Sequence, residues 1–304
     1  MEYRVLADGL GFPEGPIALP NGDVLFVEIA RGTLCRWSEA GGAEVVATVG
    51  GGPNGAALGP DGAVYICNNG GFEWQEMDGI LAPIATAKDY AGGRIDRVDL
   101  ATGDHEVLYS EVDGHRLSGP NDIVFDRSGG FWFTDLGKSW ARHRDHGGVY
   151  YALPDGSSVR EVIYPLDTPN GIGLSADEKT LYVALTAPRV LLAFDVTEPG
   201  AVAPSAGFSL GRAVGDQAAD HLLDSLALQI DGKVCVGTLV HGGITVFDPS
   251  NGTKTFAAIP ESMATNICFG GADMKTAFIT ASTTGQLIET QWPVAGLKPN
   301  FSGL

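Results

Sequence analysis

The sequence has few basic residues, no long hydrophobic run and no paired cysteines. Lysine and arginine total 19 of its 304 residues against 37 aspartate and glutamate, giving a formal net charge of −18. This charge repels nucleic-acid phosphates and anionic membrane surfaces, so neither is an expected partner. No segment approaches the roughly 18 consecutive apolar residues of a membrane helix. The N-terminus lacks a basic stretch followed by an apolar run, so we expect no secretory signal and a cytoplasmic protein.

The cysteines are few and far apart. Cys35, Cys67, Cys235 and Cys268 form no CxxC pair, and three of them lie in or beside strand-like runs. We therefore expect small buried hydrophobes in a reducing compartment, rather than disulfides or thiolate metal ligands. A long amphipathic helical period is also missing, which argues against an α/β fold.

A strand, tight turn, strand pattern is repeated along the chain, and the sequence contains 43 glycines and 17 prolines to supply the turns. The six copies have their turns at residues 20, 60, 127, 176, 230 and 272, which are 40 to 67 residues apart. Repeats of about 40 to 50 residues built from short strands are typical of a β-propeller. We therefore predict a single all-β domain over residues 1–304, a six-bladed β-propeller.

Two segments lie outside the regular repeats. The long gap between the second and third copies contains an insertion, about residues 72–92, for which a short helix or a loop over one face is expected. Residues 3–7 are expected to complete the last blade beside the C-terminal strands, because unpaired sheet edges are unfavourable.

A polar residue lies six positions before the turn in every copy. The six residues are Glu14, Asn54, Asn121, Asn170, Asp224 and Asn266. If the copies surround an axis, six oxygen-bearing side chains converge on it. Oxygen-only ligation suits Ca²⁺, Mg²⁺ or Mn²⁺ better than a structural zinc, and two carboxylates match a divalent charge.

An alternative explanation is that Asn and Asp occupy this register because they cap turns. It is weaker for the whole set, since Glu14 is a poor turn former. Asn54 and Asn266 are the members for which a structural role or a substrate contact is most expected.

Other polar residues near strand ends are weaker candidates. His241 and Asn69 could reach the pocket as hydrogen-bonding groups, although a loop histidine and a turn asparagine are the ordinary alternatives. Asp135 is expected to make a structural hydrogen bond. Asp220 and His221, shortly before Asp224, could support the site or lie in a solvated loop.

Stretches from every repeat resemble the gluconolactonase family, which also includes senescence marker protein (regucalcin) and luciferin-regenerating enzyme. They are GFPEGPIALPNGDVLFVEI, RLSGPNDIVFDRSGGFWFTD, TPNGIGLSADEKTLYVALT, LLDSLALQIDGKVCVGT and TNICFGGADMKTAFIT. The second stretch is especially similar to the bacterial sugar lactonases. The resemblance implies a six-bladed propeller with one divalent metal in the central channel.

The resemblance also implies roles for individual residues. Glu14, Asn170 and Asp224 match the family's metal ligands, and Asn121 matches an asparagine that contacts metal or substrate. Diisopropyl fluorophosphatase is similar in placing Glu, two Asn and Asp around a calcium. Two departures affect these expectations: Ser225 follows Asp224 where the family usually has glycine, and Gly119 stands where some animal members have a sugar-acid-binding arginine. Arg116 is near that position but is not equivalent to it.

The leading functional prediction is a divalent-metal-dependent hydrolase that opens a sugar lactone to the aldonic acid. Glu14 and Asp224 are the predicted catalytic residues, with Asn121 and Asn170 as further metal ligands. Whether Asp224 or a metal-bound hydroxide acts as the base stays open. The predicted substrate contacts are Asn54, Asn69, Asn121 and His241.

Three points stay open at this stage. A calcium-dependent phosphotriesterase and a non-catalytic calcium-binding propeller are the alternative functions. Calcium is the expected ion, with Mg²⁺, Mn²⁺, Zn²⁺ and Fe²⁺ as alternatives. The sequence does not specify the lactone or the oligomeric state.

Overall fold

The structure is a computed structural model that describes residues 2–204 and 210–303. Within those ranges the chain consists of β-strands and turns with no helix, so no helix there is able to span a membrane. The main strands form six sheets in chain order around one channel. The predicted all-β, six-bladed propeller is confirmed.

Each blade contains four antiparallel strands that follow one another from the channel outward. Blades 1 to 3 are formed by Pro13–Ala18, Val24–Glu28, Thr33–Ser38 and Gly42–Thr48; by Pro53–Leu58, Val64–Asn68, Arg94–Val98 and His105–Tyr109; and by Pro120–Phe125, Phe131–Asp135, Gly147–Ala152 and Val159–Leu166. Blades 4 to 6 are formed by Pro169–Leu174, Thr180–Leu185, Val190–Glu198 and Arg212–Asp216; by His221–Leu228, Val234–Val240, Gly243–Asp248 and Thr253–Ala258; and by Ala264–Gly270, Thr276–Ala281, Gln286–Gln291 and Arg4–Ala7.

The last blade joins the two ends of the chain. Arg4–Ala7 pairs with Gln286–Gln291, with Val5 opposite Ile288. The N-terminal strand therefore closes the ring, as predicted for residues 3–7. In blade 4, Val190–Glu198 also pairs with a short extra strand, Ala201–Val202.

In residues 2–204 and 210–303 the hydrophobic core is divided into six clusters, one between each pair of neighbouring blades. Phe131 and Tyr65 pack together between blades 2 and 3, Trp132 and Leu181 between blades 3 and 4, and the other four interfaces are filled in the same way. Burying each such side chain contributes roughly 1.5–3 kcal/mol. Because the stabilising apolar area lies between blades, the channel is free to carry polar groups.

The insertion forms a β-hairpin, so the expected short helix or loop was wrong. Its strands are Phe72–Met77 and Ile80–Thr86, joined through Asp78 and Gly79 at φ of 52° and 79°. Positive φ at both central residues is the geometry that matches the twist of two strands, and Asp-Gly is a preferred pair for it. A second small hairpin, Glu111–Val112 with His115–Arg116, follows blade 2.

All four cysteines are free thiols, as expected. Cys35, Cys67 and Cys235 are buried, and Cys268 is partly buried. Burial raises the pKa of the Cys268 thiol to about 12, so it stays protonated and unreactive.

The C-terminal segment, residues 295–303, lies across the end of the channel where the innermost strands finish. Leu297 donates its backbone N–H to Leu228 O at 2.7 Å. The Asn300 amide donates to Phe125 O at 3.0 Å and to Glu178 Oε1 at 2.6 Å. These contacts attach the segment to the innermost strands of blades 3 and 5.

Candidate functional site

All six predicted polar residues lie on the innermost strands. Each of those strands changes its pairing register beside the polar residue, for example between Pro169 and Ile172 around Asn170 and between Leu223 and Leu226 around Asp224. A bulge of this kind leaves a residue unpaired and re-aims its side chain. The six-fold repetition of the bulge explains why the register is visible in sequence.

The six side chains are buried. Their residues are between 2% and 8% exposed: Glu14, Asn54, Asn121, Asn170, Asp224 and Asn266. Buried carboxylates and amides are unfavourable unless they are paired or bound to a cation. The term "ring" below refers to these six residues.

Several ring members contact each other directly. Asn266 Nδ2 donates to Glu14 Oε2 at 2.9 Å, and the Gly15 backbone N–H donates to the same oxygen at 2.8 Å. The Asn170 side chain lies against the Asp224 carboxylate and favours its charged form. Residues separated by 252 positions in sequence are therefore neighbours at the axis.

Asp122 adds a third carboxylate that the register does not predict. Its Oδ1 accepts the Ile123 N–H at 3.0 Å, and its Oδ2 accepts the Ile172 N–H at 3.4 Å. It occupies the position after Asn121, where the ring strands of blades 1, 2 and 4 have glycine. An acid at a position where other ring strands have glycine was the sequence signal that could have identified Asp122.

The three carboxyl groups hinder one another's ionisation. Burial raises the pKa of Glu14. Burial, followed by the Glu14 charge, raises the pKa of Asp122 to about 7 and raises the pKa of Asp224 well above its ordinary value. Like charges that share a buried site disfavour each other's charged forms, and a cation between them reverses that effect.

The residues present fit a hard divalent cation. Asn121 Oδ1 is buried and has no hydrogen-bond partner among the described residues. Such an acceptor is unfavourable unless a donor or a cation reaches it. Together with three carboxylates and the other ring amides it gives an all-oxygen donor set, which suits Ca²⁺, Mg²⁺ or Mn²⁺.

Glycines after the ring residues let the strands meet at the axis. A Cβ on Gly55 would lie 2.5 Å from Asn121 O, and one on Gly171 would lie 2.6 Å from Asp224 O. In blade 5 the corresponding residue is Ser225, which is fully buried and donates to Asn170 Oδ1 at 3.4 Å. Blade 5 has the same bulge as the other blades, so Ser225 in place of the usual glycine leaves the local backbone geometry unchanged.

Asn69 is held beside a buried lysine. The Lys138 ammonium donates to Asn69 Oδ1 at 3.2 Å and to Gly71 O at 2.8 Å, and lies 3.8 Å from the Phe72 ring centre. Burial lowers the pKa of Lys138 to about 7. Asn69 Nδ2 is buried without a hydrogen-bond partner in the part of the chain that the structure describes, so this amide still has a donor to offer.

The region of Gly119 has no space for a side chain. A Cβ there would lie 2.7 Å from Gly137 O, and its N–H donates to Asp135 Oδ1 at 2.7 Å. Asp135 also accepts N–H groups from Ser118 and Gly137, which is the structural role expected for it. Arg116 is exposed and donates to Ala91 O, so it does not replace the arginine of some animal members.

His241 lies outside the ring. It follows the second strand of blade 5, where its ring stacks on His221 with centroids 4.0 Å apart. Its Nδ1 is 3.6 Å from Asp220 Oδ2. The structure thus groups His241 with Asp220 and with His221, the first residue of the strand that carries Asp224.

A cavity of about 180 Å³ extends along the innermost strands from the ring to the C-terminal segment. Asp122 and Asn266 line one end, and Leu297 and Asn300 line the other. Between them the wall is mostly aliphatic, with residues such as Ile172 and Leu226. Of the two ends, the ring end lies beside the buried carboxylates Glu14, Asp122 and Asp224.

The chain is similar to known proteins over most of its length. Residues 12–283 match the family model "SMP-30/Gluconolactonase/LRE-like region". A gluconolactonase of Zymomonas mobilis subsp. mobilis is 25% identical over 307 aligned positions, which cover 92% of this chain and 78% of that protein.

Two solved structures extend the comparison. A gluconolactonase of Xanthomonas campestris is similar with a TM-score of 0.74 and 25% identity, covering 96% of this chain and 89% of that one. A calcium-binding protein, regucalcin, of Agrobacterium tumefaciens is similar with a TM-score of 0.75 and 18% identity. The match covers 100% of this chain and 98% of that one, and at this identity it supports the fold alone. The chain therefore belongs to the SMP-30/gluconolactonase/LRE-like family.

Proposed function

We propose that the protein is a divalent-metal-dependent lactonase that opens a sugar lactone to its aldonic acid. The observation that carries the proposal is the ring end of the channel, where Glu14, Asp122 and Asp224 are buried within mutual electrostatic reach. The similar gluconolactonases support a sugar lactone as the substrate class.

Glu14, Asn121, Asn170 and Asp224 would hold the ion. When bound, the cation supplies a Lewis acid that polarises the lactone carbonyl and stabilises negative charge on its oxygen. Calcium is the first expectation for an all-oxygen site, with Mg²⁺, Mn²⁺, Zn²⁺ and Fe²⁺ as alternatives.

Asp224 and Glu14 are the proposed catalytic carboxylates. Water adds to the lactone carbonyl carbon, and its proton passes to Asp224. The bond from that carbon to the ring oxygen then breaks, the leaving oxygen takes up the proton, and the product is the open-chain acid. Glu14, fixed by Gly15 and Asn266, keeps a second negative charge at the axis.

The substrate contacts are proposed from the remaining polar groups. Asn121 and Asn54 lie in the ring, and the free N–H of Asn69 suits a sugar hydroxyl. His241 lies at the blade 5 end of the site. An enclosed site with unsatisfied polar groups discriminates strongly between substrates that do and do not pair with them.

The test is the turnover of a panel of sugar lactones by Asp224→Ala, followed as acid release with a pH indicator. We expect a loss of about 10²–10⁴-fold, the usual contribution of a positioned acid–base group. Asp231→Ala, in an exposed turn of the same blade, is the matched control and is expected to keep full turnover. Unchanged turnover in Asp224→Ala would overturn the catalytic assignment.

The same preparations distinguish the two alternative functions. Fluoride release from an organophosphate without lactone turnover would indicate a phosphotriesterase. Binding of calcium with no hydrolysis of any lactone or ester would indicate a non-catalytic propeller. The lactonase relatives favour the lactone over both.

A further inference from the structure

The innermost strand of blade 5 extends beyond the ring. Four of the other five innermost strands begin one residue before their ring residue, but His221–Leu228 begins three residues before Asp224. At about 3.3 Å per residue, His221 lies roughly 10 Å along the chain from Asp224. The group formed by Asp220, His221 and His241 is therefore a separate cluster, called the rim cluster below.

The rim cluster brings three potential metal donors close together. Their donor atoms all lie within 4.8 Å of one another. His221 Nδ1 is 2.9 Å from Asp220 Oδ1, and His241 Nδ1 is 3.6 Å from Asp220 Oδ2. Ligands about 2.1 Å from a shared ion in tetrahedral or octahedral geometry are about 3.0–3.4 Å apart, close to the two histidine–aspartate spacings. The imidazoles are stacked with an interplanar angle of 26°, so they must rotate to direct their nitrogens at one ion.

The fold holds these side chains in place. Val240 has φ of 71°, which is unusual for a β-branched residue and turns the chain at the end of its strand, just before His241. Phe256 packs against both imidazoles, with ring centroids 5.5 Å from His221 and 5.0 Å from His241. A turn and an aromatic support thus bring together two histidines that are 20 positions apart.

We infer that the rim cluster binds a first-row transition-metal ion of the Zn²⁺, Ni²⁺ or Co²⁺ class. Two imidazoles and one carboxylate suit these ions, whereas Ca²⁺ and Mg²⁺ prefer oxygen alone. The side chains of Asp220 and His241 are 59% and 47% exposed, so the ion exchanges with solvent and keeps open coordination positions. The rim cluster shares His241 with the proposed substrate contacts but contains none of the proposed central metal ligands.

The test is a Co²⁺ titration of protein saturated with Ca²⁺ and without substrate, followed by the visible absorption of nitrogen-bound Co²⁺ and by metal analysis. We expect one Co²⁺ per chain in the wild type and in Asp224→Ala, because the rim cluster does not use the central ligands. His241→Asn and Asp220→Asn are each expected to weaken Co²⁺ binding by at least about 100-fold, the upper end of the effect of losing a supporting group around a metal.

His143→Asn is the matched control, because His143 is exposed and stacks on Trp140 in another blade. It is expected to bind Co²⁺ as the wild type does, and thermal unfolding checks that each variant is folded. Equal Co²⁺ binding by the wild type and His241→Asn would overturn the inference, as would loss of the nitrogen-bound absorption in Asp224→Ala. Substrate is absent throughout, so a direct contact of His241 with the lactone does not affect the result.

Discussion

At one end of the channel the six innermost strands present buried carboxylates and amides, whereas at the other end the same strands present aliphatic side chains covered by residues 295–303. The covered end follows the usual rules of packing. The ring end does not follow these rules, because it buries Glu14, Asp122 and Asp224 together, where they suppress one another's ionisation. Every blade buries a polar side chain at the ring, although such burial is unfavourable. Violations of the packing rules are expected at functional sites.

The largest expected effect is the pH dependence of the metal-free protein. At low pH the carboxyl groups of Glu14, Asp122 and Asp224 are protonated in both the folded and the unfolded state. As pH rises above about 4 the unfolded carboxyls ionise, while folded Asp122 keeps its proton until its pKa of about 7. The free energy of unfolding therefore falls between these values, by roughly a few kcal/mol.

Thermal unfolding at several pH values, with chelator and with saturating Ca²⁺, measures this effect. The difference between the two series removes the contribution of groups away from the ring. We expect the stabilisation by Ca²⁺ to grow from pH 5 to pH 8, at about 1.5–2 °C in unfolding temperature for each kcal/mol. A Ca²⁺ effect that is constant with pH would contradict the shared site.

Asp122→Asn separates stability from metal binding. Removing one of three competing charges is expected to raise the unfolding temperature of the metal-free protein at pH 8. It should also weaken divalent-ion affinity by about 10–100-fold, as other groups that support a metal site do. Calorimetric titration and thermal unfolding measure the two effects, and a change of the same sign in both would contradict this role for Asp122. Asp126→Asn, on the same blade but in a turn where its carboxylate accepts from Ser128, is the control.

Two glycines on one strand compare the ends of the channel. A Cβ on Gly171 would meet the backbone of Asp224 and Leu226, whereas one on Gly173 would meet only the ends of the Leu226 and Leu228 side chains. Gly171→Ala is expected to lower stability by about 1–3 kcal/mol and to weaken metal binding. Gly173→Ala should cost less and leave metal binding unchanged. Equal unfolding temperatures for the two variants would show that the innermost strands can move apart at the axis to make room for a side chain.

The smallest effect is expected at the covered end. Asn300→Ala removes the hydrogen bonds to Phe125 O and Glu178 and should cost about 1 kcal/mol. Lactone turnover should stay within twofold of the wild type. Lys298→Ala, exposed on the same segment, is the control. A large loss of turnover in Asn300→Ala alone would show that the covered end takes part in catalysis.

The repeat and its polar register could be predicted from sequence because the same bulge recurs in each blade and imposes the same residue types. Closure by Arg4–Ala7 could be predicted because an open ring would leave edges unpaired. The hairpin at residues 72–86 was missed even though Asp78 and Gly79 carried its turn signal. Asp122 was missed because the acid that replaces glycine after Asn121 does not by itself show that the side chain lies near Glu14 and Asp224. The position of the C-terminal segment is set by contacts with blades 3 and 5 and has no sequence periodicity.

The most direct test of the account is lactone turnover by one preparation before chelation, after chelation and after Ca²⁺ is restored, with metal analysis at each step. The account predicts one bound divalent ion per chain at the ring, loss of turnover when that ion is removed, and recovery when it is returned. Full turnover by protein shown to contain no metal would contradict the claim that the ring acts through a cation.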